Sequence, residues 1–313
     1  MEKGLFRLGC DIGGTFTDFV LVDSETGEIH THKCLTTPED PSDAVAHGIG
    51  ELSQAVSGMV PRIGEFIHGT TLVINAIIER KGAVTGLITT KGFKDVLELG
   101  REIRYDAYDI FSEYPLPLVS RDFRMEVDER IGSDGRVIKA LEPITVARAL
   151  SELKEKGIES LAVCLINSYE NPVHENQIKT MVKAHAPDLF LSTSYEVLPQ
   201  IREYERTSTT VTNAYVKPIT ARYLEKLTDR LASLAFNGTI YIMLSSGGIT
   251  SIETARDFPV RIIESGPTAA VIASQYYGRM FDVQDMFCFD MGGTTACLLY
   301  TSDAADDAMN VEV

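Results

Sequence analysis

No apolar run in the 313 residues approaches the roughly 20 needed to cross a bilayer as a helix, and no apolar leader core or cleavage site precedes the first glycine motif. These absences predict a cytoplasmic protein without a membrane partner. Cysteine is scarce. Cys10, Cys34, Cys164, Cys288 and Cys297 form no C-x-x-C pair, and three lie in apolar stretches, as reduced and mostly buried thiols do. Positive charge is also short: 29 Lys and Arg stand against 45 Asp and Glu, a net charge of −16. A nucleic-acid partner needs a basic footprint, so none is expected. The P-loop pattern G-x-x-x-x-G-K-[ST] is missing as well.

What remains is the composition of a soluble globular protein, 44% hydrophobic and 24% charged, long enough for two domains with a sizeable core. It is organised around DIGGTFTD, residues 11–18, and a partial echo, DMGGTT, residues 290–295. Each is an apolar run that breaks into an acid, Gly-Gly and Thr. Gly13 and Gly14 lack Cβ atoms, so the backbone can approach a ligand and aim successive amides at one point. Thr15 and Thr17 add hydroxyl donors. Asp11 and Asp18 cannot hold a phosphate, but a carboxylate beside a phosphate nest is a usual place for Mg²⁺. The apolar residues 19–22 continue as a strand, so the motif reads as a hairpin tip. One copy is equally an ordinary glycine turn. Two copies at the ends of two apolar runs fit related half-domains facing one nucleotide.

Along the chain, residues 5–10, 18–23 and 28–35 predict a three-stranded meander, and Asp40 caps a helix with Pro41 in its first turn. A strand ending at His68 runs into Gly69, Thr70, Thr71 and a helix over 72–80. His68 there suits either a substrate contact or a hydrogen bond at a helix start. The loop 100–117 carries Arg101 and Arg104, which suit either an anionic substrate group or solvent. Residues 145–192 alternate helix and strand, which predicts α/β layering with a partly parallel sheet. His174 and His185 lie in the second of those helices with no ligand set around them. Residues 200–234 are expected to be helical, with Pro218 starting a second helix. The strand 239–244 opens into Ser245-Ser246-Gly247-Gly248, a third candidate phosphate or substrate loop. A strand over 261–264 precedes Ser265-Gly266-Pro267, an anion-accepting helix start.

Seven blocks in this order, DIGGTFTD, HGTTLVINAIIERKGA, GREIRYDAYDIF, ERTSTTVTNAYV, MLSSGGITS, ESGPTAAV and FDMGGTTA, resemble the hydantoinase A and ATP-dependent 5-oxoprolinase family over residues 5–296. The resemblance implies an α/β fold of the actin, sugar-kinase and heat-shock-ATPase type. Two ribonuclease-H-like halves would close on ATP, the second of them incomplete here. It divides the chain into an N-terminal domain (1–196), the beginning of a hydantoinase A domain (197–296) and a tail from Cys297 to residue 313 that matches nothing expected of the family.

The implied activity is ATP-dependent opening of a cyclic amide such as 5-oxoproline or a hydantoin, with a hydantoinase B-like second subunit or domain. Related members are acetone and acetophenone carboxylases, and an inactive nucleotide-binding fragment is a further alternative. Gly13, Gly14, Thr15, Thr17, Gly247, Gly248, Gly266, Gly292, Gly293 and Thr294 would face the nucleotide. Asp11 and Asp290 would position Mg²⁺ or the nucleophile. His68 joins them as a catalytic candidate, and Thr70, Thr71, Asn75, Arg101 and Arg104 lie on the substrate side. Glu102 and Tyr105 replace the Gln and Pro of the family's arginine loop, which leaves the substrate open.

Overall fold

The computed structural model describes residues 5–37, 39–101, 108–109, 111, 114–283, 285–291 and 296–300, with only the backbone of residues 290, 296, 297, 299 and 300. The chain divides into two compact units, one formed by Met1–Asn75 with Thr220–Val313 and the other by Ala76–Ile219.

The first unit is built on a six-stranded sheet ordered Ile249–Ser251, Thr239–Met243, Ile63–Thr70, Phe6–Ile12, Phe16–Asp23, Ile29–Leu35. The last three strands are the expected antiparallel meander. Ile63–Thr70 runs parallel to both of its neighbours, so three strand ends point the same way. Along Phe6–Ile12 the residues alternate, with Phe6, Leu8, Cys10 and Ile12 buried and Arg7 and Asp11 exposed. Period-two burial is what a sheet with one covered face requires.

Helix Pro41–Ala55 lies against this sheet. A Cβ on its Gly48 would stand 2.3 Å from the Phe19 ring, whereas one on Gly50 would meet nothing within 4 Å. The two glycines therefore respond in opposite directions. Alanine favours a helix interior by about 1 kcal/mol over glycine. At Gly48 that gain is outweighed by overpacking, about 1–3 kcal/mol. Gly50→Ala should raise the melting temperature and Gly48→Ala should lower it, checked by thermal unfolding of the two variants side by side.

Asp40 caps this helix by accepting from the Ser42 amide at 3.3 Å and hydroxyl at 2.6 Å. Lys226 and Arg230 of the long helix Glu203–Ser233 also donate to it, at 3.0 and 2.9 Å. Burial would raise the Asp40 carboxyl, but the Ser42 bond and the two cations outweigh it and hold the pKa at about 2.

The second unit contains a parallel four-stranded sheet ordered Phe190–Thr193, Ser160–Cys164, Thr85–Thr90, Arg124–Val127. The two central strands are buried at every residue, as a parallel sheet covered on both faces demands. Helix Pro143–Glu155 contributes Val146, Leu150 and Leu153 to the core with Ile88, Leu161 and Val163.

Two expectations are corrected. Residues 203–233 form one helix that continues through Pro218. A mid-helix proline costs about 3 kcal/mol. Burial of Val211, Ala214 and Tyr215 before it, and of Leu224, Leu227 and Leu231 after it, exceeds that cost. Residues 259–262 form a 3₁₀ turn where a strand is expected over 261–264. His174 is paired at 2.6 Å with Glu129, and both are buried. Glu129 lies between the strands Arg124–Val127 and Arg130–Ile131.

Four cysteines, Cys10, Cys34, Cys164 and Cys288, are free thiols; Cys10 and Cys164 are buried. Among the described residues no helix is long and apolar enough to cross a membrane.

Candidate phosphate site

Four segments of the first unit meet at one end of its sheet. The first is the DIGGT hairpin. Its register runs to Asp11 opposite Asp18 and Ile12 opposite Thr17, and the Gly13 amide then donates to the Phe16 carbonyl at 2.9 Å. Gly14 and Thr15 are left exposed at the tip.

Thr17 lies inside the tip. It is buried, with Oγ1 2.9 Å from Oγ1 of Thr36. Thr36 donates its own proton to the Gly13 carbonyl at 2.9 Å, so Thr17 is the donor to Thr36. The Thr36 amide also donates to Thr15 at 2.9 Å. The third strand's end thus braces the glycine turn. Thr17 is a strut of the cradle, which corrects the expectation that its hydroxyl faces a ligand.

The second segment is the end of Ile63–Thr70, where Gly69 stands opposite Asp11 and Thr70 opposite Ile12 in parallel register. The Asp11 carboxylate occupies space that only glycine leaves open. A Cβ on Gly69 would be 2.8 Å from Oδ1, and one on Gly266 would be 3.9 Å from it. Thr71 donates from its amide and its hydroxyl to the Ile12 carbonyl, each at 3.2 Å, and Asn75 Nδ2 donates to Thr71 Oγ1 at 3.2 Å. Thr70 is buried, and its Oγ1 accepts from the Leu72 amide at 3.1 Å, starting helix Leu72–Ile78. These hydroxyls and the amide lock two strand ends together.

The SSGG turn is the third segment. Gly247 has φ of +89°, so it takes a conformation that side chains resist, and its amide donates to Leu244 at 3.1 Å. Helix Ser265–Phe281 is the fourth. Thr268 Oγ1 donates to the Ser245 carbonyl at 2.8 Å, and the Glu264 amide donates to Ser245 Oγ at 3.1 Å. Ser265 Oγ accepts from the Thr70 amide at 3.3 Å and donates to the Thr70 carbonyl at 3.2 Å. No side chain caps this 17-residue helix. Its partly positive end is therefore anchored beside Asp11, Gly69 and the hairpin, an arrangement that accepts anions.

His68 points the other way, into the core. Nδ1 lies 3.3 Å from the Cys10 carbonyl and Nε2 lies 2.6 Å from the Tyr223 hydroxyl. Burial lowers its pKa to about 4, so the ring is neutral at pH 7. A catalytic His68 facing the substrate is corrected to a buried residue with both nitrogens engaged.

Arg101 belongs to the second unit, where its guanidinium is paired with Glu205 at 2.5 Å. Arg104, Gly292, Gly293 and Thr294 lie outside the described residues, as does the side chain of Asp290. The backbone on either side of that second motif is described. Phe287–Met291 pairs antiparallel with Ala296–Tyr300, Asp290 opposite Cys297 and Met291 opposite Ala296. In both motifs the acid stands one pair before the last, and four residues separate the final pair, 13–16 and 292–295. The strand pairs that flank the two glycine motifs share this register.

Thr36, Tyr223 and the hydroxyl of Ser265 are components that sequence reasoning passes over. Ser265 is flagged weakly by the Gly-Pro that follows it; nothing local distinguishes Thr36 or Tyr223.

Among the described residues no three His, Cys, Asp or Glu side chains gather as a metal cluster. The exposed Asp11 carboxylate, in a glycine-cleared gap beside a helix start, suits Mg²⁺ that is held mainly by phosphate and water.

The family described as hydantoinase/oxoprolinase N-terminal region matches residues 7–186, and the one described as hydantoinase/oxoprolinase matches residues 206–304. An uncharacterised protein of Methanocaldococcus jannaschii is 41% identical over 93% of this chain and 43% of its own length. Caprolactamase subunit alpha of Pseudomonas jessenii is 35% identical over 94% of this chain and 43% of its own. The crystal structure of that ATP-dependent caprolactamase superposes with a TM-score of 0.85 at 34% identity, covering 96% of this chain and 44% of that one. Nucleotide-free acetone carboxylase superposes with a TM-score of 0.84 at 25% identity, over 95% of this chain and 44% of that one. The chain thus spans less than half the length of these relatives.

Proposed function

Because the chain belongs to the hydantoinase/oxoprolinase family, we propose that it carries the ATP phosphate site of an enzyme that opens a cyclic amide of the 5-oxoproline or hydantoin type. The observation that carries this reading is the shared register of the strand pairs that flank the two glycine motifs, with an acid one pair before each Gly-Gly.

A five-membered lactam carbonyl is a poor electrophile. Transfer of the γ-phosphoryl group of ATP to its oxygen, with ADP departing, creates a carbon that water attacks. Cleavage of the C–N bond, with the nitrogen taking a proton, then leaves an acyl phosphate, and a second water hydrolyses it to the ring-opened acid and inorganic phosphate. Coupling to ATP makes the opening favourable.

In this scheme Gly13, Gly14 and Thr15, with Gly292, Gly293 and Thr294, surround the phosphates, and the start of helix Ser265–Phe281 with Gly266 accepts negative charge. Gly247 and Gly248 shape the wall beside it. Asp11, with Asp290, would hold Mg²⁺, which supplies neutralisation of phosphate charge when bound. Thr17, Thr70, Thr71 and Asn75 keep the cradle rigid. The substrate-side roles of Arg101 and Arg104 remain part of the proposal. So does a hydantoinase B-like second subunit, in keeping with the caprolactamase relative, which is named as an alpha subunit. The likeness to acetone carboxylase favours a second reading, phosphorylation of a ketone or of bicarbonate ahead of carboxylation.

The test is Mg²⁺-dependent ATP hydrolysis with 5-oxoproline, a hydantoin, or acetone plus bicarbonate added in turn. It is run on this chain and on a version extended to the length of its relatives, each with and without a co-expressed second subunit. Stimulation by a cyclic amide, lost in Asp11→Ala, supports the first reading. Stimulation only by ketone with bicarbonate supports the second, and a stable phosphorylated alcohol product would sink both.

A further inference from the structure

We propose that Tyr223 is a positioning residue of the phosphate site, holding His68 in one tautomer so that His68 Nδ1–H fixes the Cys10–Asp11 peptide. The inference rests on the reading of the glycine hairpin as a phosphate cradle, and adds a residue that neither the motif nor its immediate surroundings contain.

The direction of each hydrogen bond follows from chemistry. The Cys10 carbonyl can only accept, so the ring nitrogen 3.3 Å from it, Nδ1, carries the proton. A neutral imidazole has one N–H, which leaves Nε2 with a lone pair. The Tyr223 hydroxyl, 2.6 Å away, is therefore the donor to Nε2. Burial acts on both partners in the sense this requires, lowering the His68 pKa and raising that of Tyr223 well above the usual phenol value.

The chain from Tyr223 to Asp11 is short and dry. Tyr223, His68 and Cys10 are 5%, 0% and 4% exposed. Phe66 stacks on the His68 ring at 5.9 Å and 13°, and the Tyr223 ring lies 5.8 Å from it on a tilt of 36°. The donor itself is held firmly. Its helical neighbours Leu224 and Leu227 are buried, and Lys226 and Arg230 tie the same helix to Asp40.

The other end of the chain is what gives the arrangement a functional meaning. The Cys10 carbonyl and the Asp11 amide belong to one planar peptide, so a bond to the carbonyl sets the plane from which the Asp11 side chain leaves. Two residues later the hairpin turns. In the parallel register Cys10 faces His68 and Asp11 faces Gly69. The imidazole thus sits under the pair whose upper members are the carboxylate and the glycine that makes room for it. A phenylalanine at 223 would fill nearly the same volume and leave Nε2 buried without a donor. The ring would then be free to exchange tautomers, and the other tautomer releases the Cys10 carbonyl.

The test uses the 313-residue chain labelled with ¹⁵N and long-range ¹H–¹⁵N spectra of its histidine rings, with His68 identified by its absence in His68→Gln. Wild type is expected to show a protonated Nδ1 and an acceptor-type Nε2. In Tyr223→Phe the Nε2 resonance should move, the amides of Asp11, Gly13 and Gly14 should shift, and affinity for MgATP should fall by about tenfold, the value of one buried hydrogen bond. Substituting 3-fluorotyrosine at 223 keeps the shape and strengthens the donor, so it should move Nε2 oppositely even where the phenylalanine variant folds poorly. An Nε2–H tautomer in wild type overturns the proposal, as do unmoved hairpin amides in Tyr223→Phe or an unmoved Nε2 with fluorotyrosine. Shifted hairpin amides in a chain that binds no MgATP would support this connection and count against the nucleotide reading alone.

Discussion

Gly69→Ala is expected to lower substrate-stimulated ATP turnover on the order of 100-fold, the range reached when the support of a metal-holding group is disturbed. The added Cβ would stand 2.8 Å from Oδ1 of Asp11, well inside contact distance. The Gly69 backbone has no room to yield. Gly69 is held opposite Asp11 by the parallel ladder, and the next residue, Thr70, is clamped at both its amide and its carbonyl by Ser265. The carboxylate must swing away from the helix start, and the cradle loses the acid that fills its glycine-cleared gap. Measured in the extended protein, turnover should fall without a matching loss of melting temperature. Gly50→Ala serves as the control, since its Cβ would meet nothing within 4 Å. A Gly69→Ala protein with turnover near wild type would show that Asp11 need not occupy this gap.

Acid should destabilise the protein between about pH 6.5 and pH 4 by an amount traceable to His68. The folded-state pKa is lowered by burial to about 4, against 6.5 in the unfolded chain. Within that window the unfolded state binds the proton and the folded state does not, so stability falls as pH falls and levels off below about 4. The full effect is about 3 kcal/mol, because a tenfold difference in proton affinity between the two states is worth about 1.4 kcal/mol. Other groups act elsewhere or in the opposite sense. Asp40, held at about 2, loses its contribution only as pH drops below the ordinary carboxylate value of 3.8. Glu175 is raised by burial, so its contribution grows in acid. Denaturant titrations of wild type and His68→Gln at pH 7 and pH 4.5 isolate the histidine. The difference between the two proteins should shrink in acid, and a constant difference would mean that His68 takes up its proton over the same pH range in the folded and unfolded chain.

Sequence alone determined the meander, the glycine hairpin at Asp11, the helix capped by Asp40 and the α/β alternation of residues 145–192. All rest on interactions between residues a few positions apart: period-two burial, a Gly-Gly turn, a Ser-bonded aspartate at a helix start. The hairpin at Asp11 was legible for this reason, and so was the candidate helix start at Gly266. Reading failed where a distant partner decided the outcome. Pro218 ends a helix by local rules, yet buried side chains on both sides of it carry the helix through. Thr17 looks like a ligand donor until Thr36, at the far end of another strand, takes its proton. His68 looks poised for substrate until the fold sets it between Cys10 and Tyr223, 58 and 155 residues away in sequence. Tertiary structure alone settled which polar groups turn inward, because burial obliges each to find a partner wherever the chain supplies one, and a sequence lists the groups without their neighbours.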